Sequence, residues 1–109
     1  MRQKQLGEMQ YNHYRYSDAV HFAANQVLAQ TTFSPQSRAD QLRELLYSLA
    51  PTIPETWATP SRGLLVRREL SIEIVIDALG RDLQENTDSS RYLVLSSILL
   101  LAQTIKQLG

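Results

Sequence analysis

The sequence predicts an all-α protein: a compact bundle of about four helices with a Pro-rich loop between the second and third. Apolar residues recur every three or four positions in four separate windows, the spacing of one helix face. One window alternates like a strand but has no convincing second strand to pair with, and a lone strand leaves its backbone groups unsatisfied. Pro51, Pro54, Pro60 and Gly63 fall together between the second and third windows. With 109 residues there is room for one hydrophobic core. Residues 1–10 read as a mobile N-terminal tail and 11–109 as a single helical domain.

The first helix is expected over about 17–31, with an earlier start near residue 10 as the alternative. Val20, Ala23, Ala24, Val27 and Leu28 share one stripe, and Ser17–Asp18 can cap its start. Tyr16 and His13 extend the stripe backwards, while Phe22 lies off it. Ser34 and Pro35 then open a second helix over about 35–49, Ser34 as cap and Pro35 in the first helical position. Ala39, Leu42, Leu45, Leu46 and Leu49 form its inner stripe, and Pro51 stops it.

The stretch APTIPETWATPSRG, which contains Trp57, cannot form a long helix or a central strand, because its prolines lack the backbone donor both require. A third helix is expected over about 62–86. Its middle, ELSIEIVID, alternates as a strand would. Its flanks, LLVRRE and DALGRDLQE, are strong helix formers. Leu65, Ile72, Val75, Ile76, Leu79 and Leu83 line one face of that helix. A fourth helix over about 89–108 follows the linker Asn86–Ser89, with Lys106 as a favourable cation in its last turn.

The third and fourth helices carry more apolar surface than one small domain readily hides. Val66, Leu70, Ile74 and Ala78, four apart, make a second row on the third helix. On the fourth, Tyr92, Leu95, Ile98, Leu99, Leu101, Ala102 and Ile105 cover about half the circumference, and Leu93 and Leu100 lie among polar residues on the other half. Central helices of a bundle touch two neighbours, which accounts for part of this surface. The rest points to burial against another chain, since soluble monomers seldom expose large apolar patches. Val66, Leu70, Ile74, Ala78, Leu93, Leu100 and Trp57 are therefore the candidate partner-binding residues. Trp57 has a second reading, as a plug for the end of its own bundle.

Composition narrows the function. Lys+Arg and Asp+Glu both total 11, so the large positive excess usual in nucleic-acid binders is missing. Without cysteine the chain has no disulfides, thiolate metal sites or cysteine nucleophile. The longest uncharged run, Tyr92–Ile105, is shorter than the roughly 20 apolar residues of a membrane span. The opening MRQKQLGEMQ lacks the apolar stretch of a secretory signal, so the cytoplasm is the expected location.

No catalytic or nucleotide-binding motif is present. His13 and His21 are eight apart, too far for a metal pair on one helix turn. The carboxylates at 69, 73, 77 and 85 read as a solvated face. Tyr14 and Arg15, in a Tyr-rich segment, and Arg62, Arg67 and Arg68 are the candidates for nucleic-acid contact. The expectation is a non-enzymatic interaction module, small subunit, or assembly or regulatory factor. It needs no cofactor or metal, and its partner is another protein or a second copy of itself. A small nucleic-acid-associated protein is the alternative.

Overall fold

The structure, a computed structural model, describes residues 2–86 and 88–109, with side chains from Arg15 onward. Among the described residues it is helical with no strand, and there are five helices rather than the expected four: α1 (Arg2–Leu28), α2 (Pro35–Ser48), α3 (Pro60–Val66), α4 (Ile72–Glu85) and α5 (Ser89–Leu108). Single turns of 3-10 helix at Ala50–Thr52 and Glu55–Trp57 fill the Pro-rich connection. The strand alternative for ELSIEIVID is overturned, since Ile72–Asp77 lies within α4.

The backbone of α1 is helical from Arg2, well before the stretch marked by apolar periodicity. The expected tail falls on positions whose side chains lie outside the described residues. Further along, Val20 is buried and Tyr16, Ala24, Val27 and Leu28 pack against the core on the expected stripe. Phe22, off that stripe, is 66% exposed. Arg38 of α2 donates through Nη1 to the Leu28 carbonyl at 3.3 Å, placing a cation at the negative end of α1.

α2 begins as its sequence dictates. Ser34 is extended, its Oγ accepts from the Ser37 N–H at 3.1 Å, and Pro35 takes the first position. Ala39, Leu42, Leu46 and Tyr47 are buried. Ile53 in the connection is also fully buried, so this loop contributes to the core.

The single helix expected over 62–86 is broken in two. α3 starts at Pro60, and its end is closed by two hydrogen bonds: Arg68 N–H to Leu65 O at 3.1 Å and Glu69 N–H to Leu64 O at 3.0 Å. This is the Schellman arrangement, with Arg68 at φ 56° in the left-handed position that usually holds glycine. Ser71 then caps α4. The inner row survives the break: Leu65, Val75 and Leu79 are buried, and Ile72, Ile76 and Leu83 pack against them.

α5 lies at the centre of the molecule, against α1, α2 and α4, while α3 packs on α4 and α2. Val94, Leu95, Ile98, Leu101, Ala102 and Ile105 are buried along it. Asp88 caps α5, accepting from the N–H groups of Ser90 (2.8 Å) and Arg91 (3.3 Å). The Arg91 and Ser90 N–H groups hold its carboxyl below the ordinary carboxylate range.

Candidate interaction surfaces

Of the expected partner-binding residues, Val66, Leu70 and Ile74 gather at the elbow between α3 and α4. They are 57%, 81% and 48% exposed. They do not form a continuous row on one helix: Val66 ends α3, Leu70 is in the turn and Ile74 is in the first turn of α4. Ala78 leaves the row altogether, half-buried against the core.

The elbow is held firmly. Tyr47 of α2 donates from its hydroxyl to Glu69 O at 2.6 Å, and Arg43 donates to Leu70 O at 3.0 Å and to the Tyr47 hydroxyl at 3.0 Å. Arg68 pairs with Glu44 and lies 4.7 Å from the centre of the Tyr47 ring. Successive carbonyls of the turn are thus tied to one helix, so the most exposed of these aliphatic side chains stands on an ordered backbone.

A second surface runs along α5 between α1 and α4. Ser17 and His21 line it from α1, Leu83 from α4, and Tyr92, Ser96, Leu99, Leu100 and Gln103 from α5. Tyr92 is 56% and Leu100 48% exposed. Tyr92 therefore sits outside the broad inner face expected of it. Leu93 is half-buried.

Trp57 is half-buried and packs against the core. The Arg91 guanidinium lies 5.5 Å from the centre of its ring, and Arg91 Nη1 donates to Asn86 Oδ1 at 2.9 Å. Trp57 thereby joins the Pro-rich connection to the start of α5, as a plug would.

Each of the basic candidates at 62, 67 and 68 has a carboxylate neighbour. Arg62 donates to Ile53 O at 2.8 Å and lies 3.5 Å from Glu55. Arg67 is 4.0 Å from Glu69, and Arg68 is paired with Glu44. Arg15 is exposed on α1, and the Tyr14 side chain lies outside the described residues. Among the described residues no three His, Asp or Glu side chains cluster as metal ligands. No helix among them is long and apolar enough to cross a membrane.

Sequence reasoning missed Asp82. It is buried, and its Oδ2 accepts from the Ser61 N–H at 3.1 Å. Thr59 provides no side-chain cap for α3, and a carboxylate from α4 does so instead. The signal was its place three residues after Leu79 on the inner face of α4, where a charge needs a local partner. No protein-family model matches the chain, and comparison with the curated proteins and with the solved structures returns no match.

Proposed function

We propose that this protein is a non-catalytic interaction module that associates with a protein partner, in the first instance a second copy of itself. The observation that carries this reading is the exposed trio Val66, Leu70 and Ile74, presented on the braced α3–α4 elbow. An ordered apolar projection loses little conformational freedom on binding, which favours its use as an anchor. The carboxylate partners of Arg62, Arg67 and Arg68 support a protein partner over a nucleic acid.

Sedimentation velocity at low micromolar concentration tests this. The expected result is a species heavier than the 12.4 kDa chain. Leu70→Glu with Ile74→Glu is expected to return it to a single chain with its far-ultraviolet circular dichroism retained. A wild-type protein that sediments as one chain at every concentration overturns self-association.

A further inference from the structure

We propose that self-association runs head to tail: the α3–α4 elbow of one copy seats in the groove that α5 leaves open between α1 and α4 on the next. This inference rests on the self-association reading and names the surface that receives the elbow.

The two surfaces are complementary in shape. Val66, Leu70 and Ile74 project from a turn. The groove is concave, about 380 Å³ in volume, with Leu83, Leu99 and Leu100 along it and Tyr92 nearest the start of α5. One large side chain cut back in a core leaves a cavity of roughly 150 Å³, so the groove has room for about two.

Its floor suits an apolar guest. The Ser96 and Ser97 hydroxyls both donate to Leu93 O, at 3.2 and 2.7 Å, so covering them strands no donor. Between Arg91 and Lys106 α5 carries no charge, so no ionised group on it is desolvated.

Charge favours the groove over a second elbow. Arg67, next to Val66 in the chain, has a side chain 67% exposed with its partner Glu69 4.0 Å away. Two elbows meeting about a two-fold axis would bring both copies' Arg67 close together, which like charges oppose. The groove offers carboxylates instead. Asp18 follows the groove residue Ser17, and Asp77 lines the adjoining stretch beside Arg81. Both are exposed, and neither makes an ion pair among the described residues.

The surfaces also face apart. The elbow is bonded to α2 through Tyr47 and Arg43, and Glu73 just beyond it lies 3.7 Å from Lys106 near the end of α5. α2 packs on one side of α5, and the groove opens between α1 and α4 on the other. A chain therefore cannot fill its own groove, and after one contact each partner keeps one surface free. Such contacts extend into filaments or close into rings, whereas a surface that pairs with itself stops at two chains.

Two variants separate the surfaces. Leu70→Glu/Ile74→Glu disables the elbow and keeps the groove. Leu100→Glu, at a position 48% exposed, disables the groove and keeps the elbow. In sedimentation velocity the wild type is expected to pass beyond two chains as concentration rises. Each variant alone is expected to associate at least about tenfold more weakly. Their equimolar mixture is expected to form a two-chain species, since one elbow and one groove remain. Gln103→Arg, exposed on the same groove, replaces Leu100→Glu if circular dichroism shows that variant losing helix. A groove variant that associates like the wild type, a mixture that stays as single chains, or a wild type that stops at two chains overturns the head-to-tail arrangement and leaves self-association standing. A wild type that sediments as one chain at every concentration overturns both.

Discussion

At the residue scale, Asp82 and Ser61 separate useful buried polarity from the kind that adds nothing. The Asp82 carboxylate satisfies the Ser61 N–H at the start of α3. Asp82→Ala strands that donor inside the protein and is expected to destabilise it by about 1–3 kcal/mol in urea denaturation. The Ser61 hydroxyl is buried with no hydrogen-bond partner among the described residues, so Ser61→Ala keeps the backbone bond and is expected to be neutral or slightly stabilising. A large loss from both substitutions would show that the hydroxyl has a partner after all.

Tyr16 supplies a pH signature. Its hydroxyl is 2.8 Å from Thr52 Oγ1, and the Thr52 proton goes to Leu49 O, so Tyr16 is the donor. Burial raises its pKa above the ordinary 10.0; once Tyr16 has lost its proton Thr52 can turn its own hydroxyl proton to the phenolate, which pulls the other way. The folded state therefore holds this proton more tightly than the unfolded state. The associated stability is complete below pH 10 and is lost as pH rises through the raised value. Tyr16→Phe is expected to flatten the alkaline limb of a thermal-stability profile; an unchanged limb would assign that limb to other groups.

At the scale of elements, the helix starts were legible where a side chain adjacent in sequence makes the cap. Ser34 with Pro35 marks α2 to the residue, and the linker Asn86–Ser89 contains the cap of α5. The division of α3 from α4 was not legible, because its causes lie elsewhere in the chain. Arg68 reads as a helix former, and what holds it in a left-handed turn is Glu44 and Tyr47 on α2. The cap of α3 comes from α4 in the same way. The inner row was nonetheless correct on both sides of the break, since periodicity reports which side chains face the core whether or not the axis bends. For the candidate site, the sequence marked Val66, Leu70 and Ile74 as surplus but could not show that they cluster at a turn, and it placed Ala78 with them although packing draws it inward.

Helix propensity makes its own prediction within α4. A Cβ added at Gly80 would meet nothing within 4 Å, and the residue lies inside a regular helix. Gly80→Ala is expected to raise stability by about 1 kcal/mol, through the lower backbone entropy of the unfolded chain. For a domain of this size that is a melting temperature roughly 4–8 °C higher. A fall would mean that the groove between α4 and α5, which Gly80 lines, needs its space.

At the scale of the molecule, the long uncharged run Tyr92–Ile105 is explained by the position of α5. Its neighbours α1, α2 and α4 cover most of its circumference, so a helix this apolar is a core element. The strip between α1 and α4 stays open, and there Tyr92 and Leu100 reach the surface. Two substitutions two residues apart on α5 should therefore behave oppositely. Ile98 is fully buried at the centre of the bundle, and Ile98→Ala is expected to cost about 2–5 kcal/mol with loss of cooperativity in the melt. Leu100 is 48% exposed, and Leu100→Ala is expected to change stability by no more than about 0.5 kcal/mol when the chain is dilute. If Leu100→Ala becomes markedly destabilising only as concentration rises, the open strip of α5 is covered in the assembled protein. The apolar residues beyond the needs of one core would then belong to the interface between chains.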